Sequence, residues 1–209
     1  CVLTLNPEER KIFYMAYERK VIDISEVEKQ LDICRQLRQR FEAQGRQMLA
    51  MVDTYGCQQN EADSEKLRGY LAEMGCGFTQ DEFAADIIVI NTCAVREHAE
   101  MRVLGNVGAL NHSKKNKPDQ IIAVCGCYTQ HDAAAVRALG VDVIGGSADR
   151  KAFVDMVLEA AENRCHLEAV DEALRRRSFE ELPAGGLSER TRAMLKVQDG
   201  CVNFCSYCI

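Results

Sequence analysis

Two wholly apolar runs, Ile87-Ile88-Val89-Ile90 and Ile121-Ile122-Ala123-Val124, most constrain what this chain can fold into. A half-wet strand alternates polar and apolar residues, so four apolar residues in a row fit a strand buried on both faces. Around them the pattern changes repeatedly. Met51 to Tyr55 is strand-like. Asp63 to Met74 has helical spacing, with Leu67, Tyr70, Leu71 and Met74 on one face and Gly75 as its stop. Residues 96–112 and 131–139 predict helices, Val141 to Ile144 a short strand, and Lys151 to Glu162 a further helix. Strands and helices alternating at this spacing predict an α/β domain with an open parallel sheet, flavodoxin- or Rossmann-like, and helices on both faces.

The flanks read differently. Residues 8–48 predict one or two amphipathic helices, entered through Asn6 and Pro7 and carrying Ile24, Val27, Leu31, Cys34, Leu37 and Phe41 at helical spacing. Gly45 is the expected stop. Residues 166–189 are polar, contain Leu182-Pro183-Ala184-Gly185-Gly186, and read as a linker. Thr191 to Val197 is strand-like and runs into Asp199-Gly200-Cys201, as the first strand of a further domain cut short. The expected organisation is therefore a helical extension over 1–49, the α/β domain over 50–165, a linker over 166–189, and the start of a second domain over 190–209.

No apolar run approaches the length of a membrane span, and no secretory leader is visible at Cys1-Val2-Leu3-Thr4-Leu5. The chain lacks an initiator Met, so its numbering need not start where the gene starts. The net charge is −6 and no segment forms a strong basic field, so charge alone makes no case for nucleic-acid binding. The short basic runs Lys114-Lys115-Asn116-Lys117 and Arg175-Arg176-Arg177 read as solvated faces.

Eleven cysteines are an odd count, which rules out a complete disulfide framework. Without a leader, clustered cysteines point toward metal or catalysis. Cys57, Cys93 and Cys127 each follow the C-terminal end of a predicted strand, where ligands gather in open parallel sheets. Small residues stand directly before them, Gly56, Thr92 and Gly126, and the glycines would let the backbone approach a bulky group. The alternative is that these cysteines fill a core as small hydrophobes. Cys201, Cys205 and Cys208 form a Cys-x3-Cys-x2-Cys motif. Three soft thiolates in eight residues suit one corner of an iron–sulfur cluster and leave one iron open for another ligand. A zinc site is the alternative, although it normally closes with a fourth ligand.

That spacing resembles the radical S-adenosylmethionine enzymes. Lys196-Val-Gln-Asp-Gly-Cys201-Val-Asn-Phe-Cys205-Ser-Tyr-Cys208-Ile209 resembles the cluster motif of the tRNA methylthiotransferases. So do Thr54-Tyr-Gly-Cys57-Gln-Gln-Asn-Glu-Ala-Asp-Ser-Glu65, Ala85-Asp-Ile-Ile-Val-Ile-Asn-Thr-Cys93-Ala-Val-Arg-Glu97 and Val124-Cys-Gly-Cys127. The resemblance covers residues 50–209, with a looser match in the helical extension. It implies two [4Fe-4S] clusters. Cys57, Cys93 and Cys127 would hold the auxiliary cluster, and Cys201, Cys205 and Cys208 the cluster that chelates S-adenosylmethionine. It also implies a tRNA substrate, methylthiolated at C2 of an adenine beside the anticodon after a 5′-deoxyadenosyl radical abstracts hydrogen. A reductant such as flavodoxin or ferredoxin, a sulfur donor and a cytoplasmic, membrane-free setting come with it. The family continues into a radical barrel and an RNA-binding domain, so these 209 residues alone are expected to be inactive.

The substrate branch reads as a mosaic. Gln58 to Glu65, Asn91 to His98 and Val103 to Gly108 resemble the dimethylallyladenosine branch, whereas Tyr128-Thr129-Gln130, Gly140 to Ile144 and Phe179 to Pro183 resemble the threonylcarbamoyladenosine branch. The longer first stretch favours dimethylallyladenosine. The remaining alternatives are a methylthiotransferase acting on a ribosomal protein and a non-enzymatic flavodoxin-like iron–sulfur or zinc module. Cys1, Cys34, Cys76 and Cys165 have no partner spacing and read as structural. Cys125 lies two residues before Cys127 and would share its side of a strand. His98, His112, His131 and His166 read as solvated or capping, and Gly145 to Asp149 as a turn before a helix rather than a phosphate loop.

Overall fold

The computed structural model describes residues 28, 32, 35, 38–39, 42–43, 45, 47–94, 97–147, 150–170 and 206. Six strands form one sheet: β1 (Leu49–Thr54), β2 (Gly77–Phe78), β3 (Ile87–Thr92), β4 (Ile121–Gly126), β5 (Val143–Gly145) and β6 (Leu167–Ala169). All pairs are parallel, in the order β2-β1-β3-β4-β5-β6. The helices are α1 (Gln58–Glu73), α2 (Glu97–Ser113), α3 (Cys127–His131), α4 (Ala133–Arg137) and α5 (Arg150–Asn163). This is the expected α/β architecture. The order reverses between β1 and β3, the place where such sheets open a crevice beyond their carboxyl ends.

The two apolar runs are buried throughout, as β3 and β4. Their side chains divide by parity. Ile87, Val89, Ile121, Ala123 and Cys125 pack on one face with Leu67, Tyr70 and Leu71 of α1 and Phe153, Val157 and Leu158 of α5. Ile88, Ile90, Ile122 and Val124 pack on the other with Val103, Val107 and Leu110 of α2, Tyr128 of α3 and Val136 of α4. Each fully buried isoleucine contributes roughly 1.5–3 kcal/mol of transfer free energy. Gly145 supports the first layer, because a Cβ there would stand 2.3 Å from Phe153 Cδ2.

The N-terminal end of the sheet is closed by two aspartates that precede strands. Asp86 Oδ2 accepts from Leu49 N at 2.9 Å, and its Oδ1 pairs with Lys117 Nζ at 2.9 Å. Lys117 also donates to the carbonyls of Ala84 and Ala85, at 2.8 and 2.9 Å. Asp142 Oδ2 accepts from Ile122 N at 2.8 Å, and Lys114 Nζ donates to both oxygens of Asp142. This corrects the expectation of a solvated face for Lys114 to Lys117: two of its three lysines are spent on internal carboxylates. Lys115 alone among them is exposed.

Other expectations shift in detail. The helix expected over 131–139 is two short helices, because Asp132 leaves helical geometry (φ −142°, ψ 75°) and caps α4 by accepting from Ala135 N at 2.9 Å. The linker expected from residue 166 begins with β6, whose pairing with β5 a three-residue strand is too short to signal. The two-residue β2 was invisible for the same reason. Gly45 and Gly75 end their helices at positive φ, 65° and 86°, as expected. Residues 28, 32, 35, 38, 39, 42 and 43 are helical and exposed, consistent with the outer face of the expected extension. Its apolar positions lie outside the described residues, as do the start of a second domain and Cys201, Cys205 and Cys208. Among the described residues no helix is long and apolar enough to cross a membrane.

Candidate metal centre

Beyond the carboxyl ends of β1, β3 and β4, the chain turns at three cysteines. Cys57 is the N-cap of α1, Cys93 follows β3, and Cys127 opens α3 directly after β4. Cys93 is buried, and Cys57 and Cys127 are half-buried. These are the three cysteines expected at strand ends, and the fold brings them to one side of the sheet.

Their convergence has an electrostatic signature. Burial pushes the Cys127 thiol up, and the neighbouring Cys93, Cys57 and Asp63 push it further, while a hydrogen bond with Asn60 opposes them. Cys127 therefore feels both other cysteines. Ionising all three would crowd like charges into a half-buried crevice, a cost that a bound cation would offset. Cys57 sits at the amino end of the 16-residue α1.

Two glycines allow the approach. A Cβ on Gly56 would stand 2.8 Å from Cys93 Cβ and 2.3 Å from Asn60 Oδ1. Gly126 takes φ 110°, ψ −160°, and a Cβ there would meet Thr92 O at 2.3 Å. Only glycine holds that backbone conformation without strain.

A buried polar network lies under the cysteines. Asn60, 2% exposed, accepts at Oδ1 from Cys57 N (3.2 Å) and Cys57 Sγ (3.3 Å). Its Nδ2 donates to Thr92 O (2.8 Å) and Asn91 Oδ1 (3.2 Å). Asn91 Nδ2 returns bonds to Asn60 O (2.9 Å) and Ser64 Oγ (3.0 Å), and Thr54 Oγ1 donates to Ser64 Oγ (2.8 Å). Thr92 Oγ1 donates to Cys125 O at 2.6 Å. Of these residues, sequence reasoning singled out only Thr92, as a small neighbour of Cys93. The available signal was the asparagine three positions after Cys57, the helix position that reaches back to its cap.

The other candidates separate from this site. Cys125 points into the core with Val89 and Ala123, because Cys127 has already left the strand and the shared parity is lost. Cys76 is also core, and burial followed by the Asp86 charge pushes its thiol up to about 11. Cys165 is half-buried beside Glu159 O. His166 Nδ1 lies 3.0 Å from Val141 O, and His112 and His131 are exposed. Tyr55, next to the site, bonds to Asp53 Oδ2 at 2.6 Å and to Asn106. Burial and that carboxylate push its hydroxyl well above the usual tyrosine range. Among the described residues no three His, Cys, Asp or Glu side chains converge tightly enough to hold a single metal ion.

Comparison with known proteins matches residues 50–146 to the family described as "Uncharacterized protein family UPF0004". The chain is 40% identical over 163 residues to the tRNA-2-methylthio-N(6)-dimethylallyladenosine synthase of Clostridium tetani, covering 76% of this chain and 35% of that protein. It is 37% identical over 210 residues to the synthase of the same name from Caldicellulosiruptor saccharolyticus, covering 97% and 42%. For that of Acetivibrio thermocellus the values are 34% over 206 residues, 96% and 42%. The chain thus spans about two-fifths of the length of the curated relatives it matches. Over 76–97% of its length the chain is thus similar to curated tRNA-2-methylthio-N(6)-dimethylallyladenosine synthases, and residues 50–146 match the UPF0004 family.

Proposed function

We propose that this chain serves tRNA methylthiolation, with N6-dimethylallyladenosine beside the anticodon as the base acted on. In this role Cys57, Cys93 and Cys127 hold an auxiliary [4Fe-4S] cluster. Cys201, Cys205 and Cys208 hold the second cluster, the one that chelates S-adenosylmethionine. The convergence of three cysteines at the crevice between β1, β3 and β4 carries the proposal.

The residues present fit such a group. The donor set is three thiols, the ligand type suited to iron–sulfur clusters. Gly56 and Gly126 keep side-chain bulk away from the junctions that present Cys57, Cys93 and Cys127. When bound, a three-thiolate cluster supplies an iron that can take a further ligand. The chain's own part is to present three thiolates from rigid strand ends and to keep Cys93 dry in the wall.

Substrate choice is supported by the names of the relatives, which specify dimethylallyladenosine. Reduced flavodoxin or ferredoxin, a sulfur donor and a cytoplasmic setting complete the proposal. The 209 residues alone are expected to bind clusters without turning over. The test uses the full-length protein, reconstituted anaerobically with iron and sulfide and given tRNA bearing either dimethylallyl- or threonylcarbamoyladenosine. Methylthiolation of the first alone is expected. Methylthiolation of the second alone would reverse the substrate assignment.

A further inference from the structure

Resting on the auxiliary-cluster proposal above, we infer that Asn60 is a positioning residue for the cluster, holding the segments that bear Cys57 and Cys93 in register through one buried amide. Its Oδ1 receives the backbone N–H of Cys57 at 3.2 Å and the thiol S–H at 3.3 Å; ligation removes the thiol proton, so the backbone bond is the one that would hold Cys57 beside a cluster. Its Nδ2 holds the carbonyl of Thr92, the residue before Cys93, at 2.8 Å. A side chain with one acceptor oxygen and one amino group thus joins the loop after β1 to the end of β3.

The orientation of this amide is fixed by its partners. Rotating it by half a turn would set Nδ2 against the Cys57 N–H and Oδ1 against the Thr92 and Asn91 oxygens, opposing donors to donors and acceptors to acceptors. Asn91 holds it from behind with a reciprocal pair of bonds. The absence of a Cβ at Gly56 leaves room for Oδ1, which would otherwise sit 2.3 Å from that carbon. Groups that orient metal ligands in this way typically change metal retention 10–100-fold when removed. Charge near a cluster also sets its reduction potential.

The experiment uses the whole chain with Cys201→Ser, Cys205→Ser and Cys208→Ser, so that only the Cys57/Cys93/Cys127 cluster contributes. Asn60→Ala, Asn60→Asp and Thr54→Val are compared with this parent. Thr54→Val removes a bond from the same network that reaches no cysteine directly, and so reports general loosening. Thermal unfolding of each iron-free protein measures that loosening directly. Asn60→Ala is expected to release iron to a chelator about tenfold faster than a Thr54→Val protein of comparable iron-free stability. Asn60→Asp is expected to lower the cluster's midpoint potential, because a carboxylate beside the cluster disfavours the added electron. Equal release rates at equal stability, with an unchanged potential in Asn60→Asp, would overturn the inference alone. A parent that binds no cluster, with iron uptake unchanged by Cys57→Ser, Cys93→Ser and Cys127→Ser, would overturn the auxiliary-cluster proposal and this inference with it.

Discussion

Asn60 and Asn91 bond to each other twice across the crevice between α1 and β3. Asn60 Nδ2 donates to Asn91 Oδ1 at 3.2 Å, and Asn91 Nδ2 donates to the Asn60 carbonyl at 2.9 Å. Both residues are 2% exposed. Two buried amides that satisfy one another are costly to separate, since either left alone would carry a desolvated, unpaired group. The pair therefore fixes the start of α1, with Cys57, against the end of β3, with Cys93.

Gly126→Ala tests whether the turn into Cys127 depends on backbone geometry. Its φ of 110° and the 2.3 Å approach to Thr92 O leave a Cβ no place. Stability of the iron-free protein is expected to fall by about 2–4 kcal/mol in urea unfolding. A loss within 0.5 kcal/mol would show that the turn can relax.

The basic run tests the internal use of charge. Lys117→Met removes the partner of Asp86, a residue 5% exposed, and is expected to cost about 2–3 kcal/mol. Lys115→Met changes an exposed residue and is expected to stay within about 0.5 kcal/mol. Equal effects in chemical denaturation would return the run to a solvated face.

Much of this was legible beforehand, for physical reasons. Ile87 to Ile90 and Ile121 to Val124 announced central strands because burial on both faces leaves no polar position. Gly45 and Gly75 announced helix ends because the positive φ they adopt suits glycine. The three cysteines at strand ends followed from those strands. The pairing of Lys114 with Asp142 and Lys117 with Asp86 was hidden, because contacts 28 and 31 positions apart leave no local pattern. The same holds for the network of Asn60, Ser64 and Asn91, whose partners meet only once the sheet order is known. Cys125 was misjudged in direction because strand parity ends where α3 begins, at Cys127.

Alkaline pH tests the burial of Cys76. Its thiol is raised from 9.0 to about 11 in the fold, by burial first and Asp86 second. Between those values the unfolded chain releases this proton more readily than the folded one, so folding stability falls as pH rises from 9 to 11. The contribution is about 2–3 kcal/mol over that window. Cys76→Ala lowers stability at pH 7 through lost packing, yet its stability is expected to decline less steeply above pH 9. Parallel pH profiles for the two proteins would contradict the assignment.

The most direct measurement is iron and sulfide content after anaerobic reconstitution of the whole chain. Two clusters predict about eight irons per chain. Cys57→Ser, Cys93→Ser and Cys127→Ser together are predicted to leave about four, while Cys125→Ala leaves about eight because that thiol lies in the core. Retention of about eight irons by the triple variant, or loss of half by Cys125→Ala, would contradict the account.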